Sequence, residues 1–421
     1  MRFLGTHLTV LYAHLMHPVT KAILNDNRGR DPLRVEIKLA ALRADPFAFY
    51  RGTSPLFYRT LELHRSLRAS PSVLTCGDLH LQNFGSYKGD NRLVYFDIND
   101  FDESCVAPAG YELVRFVTSI LVAAGPLGID SKVADSLVSH FIEAYAANIL
   151  AKKPRWVERP LATGPVRTLL LSLRGRHRRD LIKARTHRVA GKRRLIIDGK
   201  RTVAASSEDR ARAKTILAKY ARTQPSPAFY KPIDIALRIA GNGSLGLERY
   251  VALVQGKGRT DAQYLIDIKR ANPSALAANI RFPQPRWTSE AARVATLQSI
   301  MQGISPALLG AVSVGKRSYL IKEMQPTADR VNLLALKGNL TMLSDVIRTM
   351  AEVTAWGQLR GCGRHSAASV DALAEFAAGS KWRRRIKDAA RASHKRVMRQ
   401  WQAYAADYDA NPERLYALIQ K

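Results

Sequence analysis

Cysteine is scarce: Cys76, Cys105 and Cys362 are the only three in 421 residues. No pair is spaced as CxxC, which excludes a zinc-ribbon pattern. So sparse and odd a count excludes a disulfide-stapled fold and suits a reducing compartment. Long apolar runs are also missing. Val117–Ala124 is apolar but far shorter than the roughly 20 residues that cross a bilayer, so no transmembrane segment is expected. The opening stretch MRFLGTHLTVLYAHLMHPVTK is interrupted by histidine and polar residues and has no convincing cleavage site, so it is read as ordinary sequence rather than a leader. Glycine (26) and proline (19) are near ordinary usage, which excludes a collagen or a spring-like linker protein. Acid is the last shortage. Asp+Glu number 35 against 66 Lys+Arg, a formal net charge of +31.

A chain of this length holds one large domain or two to three ordinary ones, and 46% hydrophobic residues support a sizeable core. The basic excess favours polyanionic partners such as nucleic acid, phospholipid or phosphorylated small molecules, without choosing among them. The expected address is cytoplasmic.

Residues 1–230 read as a helical and catalytic-loop region. Asp31 caps a helix from Pro32, with Val35, Leu39 and Leu42 on one face. The aromatic word ADPFAFYRG (44–52) ends that segment, and a second helix is expected over 55–70. VLTCGDLHLQNFG then gives a short strand and a polar loop. YKGDNR is a turn, LVYFDI (93–98) a strand, NDFDES an acidic loop, and Tyr111–Ala124 an apolar helix. Residues 174–201 hold the densest run of lysine and arginine and resemble an inserted hairpin turning at Asp198–Gly199. A serine-capped basic helix follows, ending near Tyr220. Residues 231–330 form a β-rich lobe: strands DIALRIA, LERYVALVQG and QYLIDIK, a helix over 288–302 opened by Thr288 or Ser289, and two strands with a turn near Gly315. Residues 331–421 are mostly helical, with a basic amphipathic helix whose cations lie at 381–399.

Two clusters carry chemistry. The first is acidic in a basic chain. GDLHLQNFG concentrates Asp78, His80, Gln82 and Asn83, and a few residues on come Asp97, Asn99, Asp100, Asp102 and Glu103. Carboxylates and a carboxamide close together suit Mg²⁺, a hard oxygen-seeking ion, and a further carboxylate can accept a proton from an attacking hydroxyl. The bland alternative is a capped turn beside an acidic surface loop.

The second cluster is the loop GNGSLG (241–246). Gly241, Gly243 and Gly246 let the backbone approach phosphates, with Ser244 among them. A strand follows the loop, which argues against a Rossmann fingerprint, and no Walker lysine is present. Strand–loop–strand with a lysine on the next strand looks like the loop over ATP in kinases, and Lys269 is the candidate lysine. Glu290 is the candidate acid to hold it, with Gln298 and Glu323 as rivals. A hairpin turn without a ligand is the competing reading.

With both clusters in view, the chain resembles the bacterial family catalogued as domain of unknown function 2252. The matching words are DPFAFYRG (45–52), CGDLHLQNFG (76–85), FDINDFDE (96–103), GNGSLG (241–246), DIK (267–269), LIKEMQ (320–325) and LRGCGRHS (359–366). That family in turn looks like a distant relative of aminoglycoside phosphotransferases and protein kinases. The resemblance implies an α+β, kinase-like two-lobed fold. It implies Asp78 as catalytic base, Asn83 as a magnesium ligand and Asp97 as the second metal-binding aspartate, with Asp100 as the alternative. ATP and Mg²⁺ are the implied cofactors. The glycine loop follows the catalytic loop here, the reverse of an ordinary kinase, which implies a circularly permuted order. Arg51, His80, Arg364 and His365 are candidate phosphate or substrate contacts.

The expected activity is Mg-dependent phosphoryl transfer from ATP to an unidentified small-molecule or protein hydroxyl acceptor. One alternative is adenylyl transfer by the same clamp. Another is an inactive kinase-like protein that binds nucleic acid or another anionic surface through 174–201 and 381–399. No helix-turn-helix, zinc-finger or RNP-like word supports nucleic-acid binding directly.

Overall fold

A computed structural model describes residues 16–241, 243–257, 262–324 and 330–420. The reading of the first fifteen residues, Asn242 of the glycine loop, Asp261 of the expected turn and Gln325 of the family word lie outside the described residues.

The chain is α+β and begins with helices α1 (Pro18–Asp26), α2 (Pro32–Ala44), α3 (Pro46–Gly52), α4 (Ser54–Thr60) and α5 (Arg65–Arg68). The first four carry proline in the first turn, where the missing N–H costs no helical bond. Asp31 caps α2 by accepting the Arg34 N–H at 2.9 Å. Asp45 does the same for α3, from Phe47 and Ala48 at 2.7 and 3.0 Å. The aromatic word therefore forms a helix of its own, and the expected helix over 55–70 is split in two.

Four short strands follow: β1 (Ser72–Thr75), β2 (Phe84–Lys88), β3 (Val94–Ile98) and β4 (Cys105–Pro108). β1 pairs with β4 and β2 with β3, both antiparallel. The polar loop 76–83 and the acidic loop 99–104 thus run between the same two ribbons and are forced side by side. Next come α6 (Ala109–Leu127), α7 (Ser131–Leu150), β5 (Val157–Glu158), which extends the β2–β3 ribbon, and α8 (Gly164–Ser172). α6 is long and apolar enough to pass for a membrane span, but most of it is buried in the core, including Leu113, Val114, Phe116 and Val117.

The basic region forms α9 (Arg178–Arg185), β6 (Thr186–Val189), β7 (Lys192–Leu195), β8 (Thr202–Ala204) and α10 (Ser207–Ala221). The hairpin is β6–β7, turning at Ala190–Gly191 rather than at Asp198–Gly199. Asp198 instead gathers the N–H groups of Lys200, Arg201 and Thr202 and steers the chain into β8. Then follow β9 (Pro232–Arg238), β10 (Arg249–Val254), β11 (Tyr264–Ala271), α11 (Ala275–Asn279), α12 (Glu290–Met301), β12 (Gly310–Val314) and β13 (Arg317–Glu323). Ser289, not Thr288, caps α12. The last helices are α13 (Leu340–Gly361), α14 (Val370–Ala378), α15 (Lys381–Ala410) and α16 (Pro412–Ile419).

β8 to β13 make one antiparallel sheet in the order β12-β13-β11-β10-β9-β8. Its two-residue alternation sorts side chains strictly. Tyr250, Ala252, Ile266 and Ile268 face α10 on one side, whereas Val251, Leu253 and Leu265 pack with Ile182 of α9 and Leu195 on the other. The sheet expected over 231–330 therefore also recruits β8, with α9 packed on one face and α10 on the other. α13 packs on α7 and α15 on α6, so the C-terminal helices complete the core around the early loops.

Candidate functional site

The polar loop leaves β1 through Cys76 and Gly77. Gly77 has φ +79°, and a Cβ there would lie 1.8 Å from the Glu103 carbonyl oxygen, so only glycine lets the two loops cross. Buried Glu112 of α6 accepts the Cys76 and Gly77 N–H groups at 2.7 and 3.3 Å, and Gln358 of α13 donates to its other oxygen at 2.9 Å. Tyr58 donates its hydroxyl to the Gly77 carbonyl at 2.6 Å. The backbone that presents Asp78 is thereby fixed from three helices.

Asp78 Oδ1 accepts from Arg115 Nε at 2.9 Å and Nη2 at 2.8 Å. Arg115 is fully buried, its guanidinium 3.7 Å from the Tyr50 ring centroid and 4.5 Å from that of Phe57. Burial raises the Asp78 pKa and the Arg115 charge opposes that, with the net shift upward. Asn83 binds the loops together: Nδ2 donates to the Asp78 and Asp100 carbonyls at 3.1 and 3.0 Å, and Oδ1 accepts the Asp100 N–H at 2.7 Å.

From the sheet, Lys269 points into the same region. Its Nζ pairs closely with Asp102 and lies 4.0 Å from Asp100. It stands on the charged end of the inner sheet face, where alternation also places Arg238, Arg249, Asp267 and Lys322. Asp267 pairs with Arg238 at 2.8 Å and with Arg249 at 2.5 Å, which hold its carboxyl far below the usual range against burial. Asp100, exposed into the cleft, is held below the usual carboxylate range by the Lys269 and Lys322 charges. Asp102, partly desolvated and facing the Asp100 charge, is pushed up instead, as expected when two like charges share one cation.

Two cavities meet here. One, of about 360 Å³, is lined by Asp78, Arg30, Lys38, Glu103, Gly243 and Ser244, among others. The second, of about 390 Å³, lies against the sheet and includes Gly241, Arg249, Asp267, Lys269 and Lys322. Arg51, Asp100 and Asp102 line both. Arg51 donates through Nη1 to Gln82, its Nε is buried with no partner among the described residues, and burial with Arg330 nearby lowers its pKa to about 10.

The glycine loop is clamped by the early helices. Arg30 Nη1 donates to the Gly243 and Leu245 carbonyls at 2.7 and 3.1 Å, and Lys38 Nζ donates to Gly243 at 3.2 Å. Gly246, at φ +83°, is a packing glycine: a Cβ would lie 2.7 Å from Arg30 Cβ, and the residue lines neither cavity.

Several expected site residues lie elsewhere. Asp97 is buried away from both cavities; it accepts from Ile98 and Gly303 at 2.8 and 3.1 Å and faces Arg360 at 3.7 Å, with burial raising it to about 6. It sits within β3, whereas Asp100 lies beyond the strand end and lines both cavities. Asn83 joins the loops and lines neither cavity. Glu290 pairs with Arg293 at 2.7 Å in its own helix, and Asp102 holds Lys269 instead. Of the rivals, Glu323 pairs with Arg92, while Gln298 lines the sheet-side cavity and donates to Gln302. His80 is buried, caps the loop by accepting the Gln82 N–H at 3.1 Å, and meets Phe47 edge-on. Arg364 and His365 lie on an exposed turn after α13, where the His365 ring meets that of Trp287 at 4.9 Å and a 41° tilt. The cations of α15 are largely engaged with neighbours, Arg391 with Asp135 at 3.0 Å and Lys387 with Ser139 at 2.9 Å. Those of β6–β7 are mostly exposed.

Arg115, Glu112, Arg30 and Lys38 were not singled out by the sequence, and Asp102 was read as part of the acidic cluster but not as the partner of Lys269. Two charges inside an otherwise apolar helix, Glu112 and Arg115, were the available signal for that pair.

A family described as an uncharacterized protein conserved in bacteria (DUF2252) matches residues 30–407. No curated protein and no solved structure matches the chain.

Proposed function

The chain belongs to this uncharacterized bacterial family, and from that premise we propose a phosphotransferase that moves the γ-phosphoryl of ATP to a hydroxyl acceptor, on a kinase-like two-lobed plan with its lobes in permuted order. The observation that carries the reading is the pairing of Lys269, from the sheet, with Asp102 beside Asp100, in a cavity adjoining that of Asp78. Lys269, Lys322 and Arg249 would receive nucleotide phosphates in the sheet-side cavity, and Arg51 would meet the transferred group at the junction. Asp78, oriented by Arg115, would accept the acceptor's hydroxyl proton as that oxygen bonds to the γ-phosphorus and the β–γ bridging oxygen leaves with ADP.

Among the described residues no three His, Cys, Asp or Glu side chains form a preformed metal cage. Mg²⁺ needs none: it is commonly held by one or two carboxylates plus substrate phosphates and waters. Asp100, whose side chain is 56% exposed and lines both cavities, fits that requirement. The ion would neutralise charge on the transferred group.

The test is ADP release and product mass after incubation with Mg-ATP and a metabolite extract. Asp78→Asn should retain Mg-ATP binding and lose ADP formation. Equal turnover by that variant would remove Asp78 as the base. A product carrying an adenylyl group would instead favour nucleotidyl transfer by the same clamp. Salt-sensitive retention of DNA or RNA with no turnover would favour the binding-protein alternative.

A further inference from the structure

Not every cation around the Asp78 cavity has an acid to match it. Arg115 pairs with Asp78, Lys269 with Asp102, and Arg59 with Asp26 at 2.6 Å. Arg30 and Lys38 have no carboxylate within 4.0 Å among the described residues. Lys38 is 2% exposed, and its acceptors among the described residues are Asn27 Oδ1 at 2.9 Å and the Gly243 carbonyl at 3.2 Å. Arg30 spends Nη1 on two loop carbonyls, and its Nε and Nη2 have no acceptor among the described residues. A buried cation served only by neutral oxygens is costly unless an anion joins it.

We propose that the acceptor is a small polyhydroxyl compound carrying a phosphate group, seated with its anion against Arg30 and Lys38 and a hydroxyl at Asp78. The inference rests on the phosphotransfer reading. A cavity of about 360 Å³ accommodates a monosaccharide-sized molecule. Its neutral lining, including Asn27, Asn272, Ser274 and Asn279, offers donors and acceptors to hydroxyl groups. Arg51, on the boundary of both cavities, serves the transferred group, which leaves Arg30 and Lys38 to the acceptor alone. Cationic amino-sugar acceptors are disfavoured by the same two charges. Glu103, the remaining carboxylate on this wall, is raised by burial to about 7, so it opposes an anion only weakly at neutral pH.

Calorimetric titration of the full chain with glucose 6-phosphate, glucose and inorganic phosphate tests this, alongside Mg-ATP. Glucose 6-phosphate should bind at least about tenfold more tightly than glucose, with inorganic phosphate competing. Arg30→Gln and Lys38→Met should each weaken it by about tenfold, as expected for loss of a charge-assisted bond, while changing the affinity for uncharged glucose by less than about twofold. Thermal unfolding of both variants identifies any that fail to fold, and Arg30→Gln, at a half-buried site, is the safer of the two. Equal affinity for glucose and its phosphate, or phosphate binding indifferent to both substitutions, overturns the proposal. Phosphate binding as predicted without any Mg-ATP binding would instead bring down the phosphotransfer reading and leave the anion cavity standing.

Discussion

Arg115→Met examines the most buried element of the site. The guanidinium donates twice to Asp78 Oδ1, lies over Tyr50 and Phe57, and also reaches the Tyr50 carbonyl at 2.8 Å. Methionine preserves much of the apolar volume but leaves Asp78 without its cation. Removing one partner of a buried ion pair costs about 3–5 kcal/mol. Of that, about 2 kcal/mol belongs to the aromatic faces and the carbonyl, and is lost whether or not position 78 is charged. The coupling between the two side chains is therefore about 1–3 kcal/mol, measurable by urea unfolding of wild type, Arg115→Met, Asp78→Asn and the double variant. The pH dependence has a definite sign. Burial already raises Asp78, and without Arg115 its folded pKa rises further above the unfolded value. The folded variant then holds a proton to higher pH, so its deficit is small near pH 4 and grows as pH rises. The acidic limb of any turnover should move to higher pH with it. A coupling below about 0.5 kcal/mol, or a deficit that shrinks as pH rises, would refute this account of how Asp78 is held.

Three further outcomes are expected. Asp97 is raised by burial to about 6, so wild-type stability should fall by up to about 3 kcal/mol between pH 4 and pH 7, and Asp97→Asn should flatten that slope in urea titrations at the two pH values. Gly77→Ala should destabilise the fold by at least about 2 kcal/mol, because φ +79° and a Cβ 1.8 Å from the Glu103 carbonyl oxygen are both intolerable; an unchanged melting temperature would mean that the loops do not cross as described. Lys269→Met should abolish most of the melting-temperature rise given by Mg-ATP, and a full rise in that variant would remove the lysine from the nucleotide site.

The sequence was most legible where local rules act alone. Asp31 and Ser206 cap the helices expected of them, and the strands β9, β10 and β11 lie where strand-forming residues placed them. The two loops and Lys269, which residue types and order single out, line or border the same two adjoining cavities. What failed depended on tertiary geometry. Asp97 and Asp100 are equally acidic on paper, but a strand ends between them and only Asp100 lies beyond it. Glu290 had the right position in sequence, yet Arg293 one turn later takes its carboxylate. His80 and Asn83 looked like ligands and serve as loop fasteners, since short polar side chains satisfy nearby backbone before they reach a cleft. The hairpin turn was misplaced because Asp-Gly is a strong turn signal even where it redirects the chain into a neighbouring sheet. Arg30 and Lys38 lie more than 200 residues from the glycine loop they grip, a distance at which single-sequence patterns are silent.

The central claim is that an early carboxylate loop and a late lysine strand act on one nucleotide. A crystal structure with Mg²⁺ and a non-hydrolysable ATP analogue tests it most directly. The account predicts phosphates between Lys269 and Arg51, with the γ-phosphorus directed toward Asp78 and the ion on Asp100. Nucleotide bound away from the junction of the two cavities, with Lys269 still closed on Asp102, would contradict it.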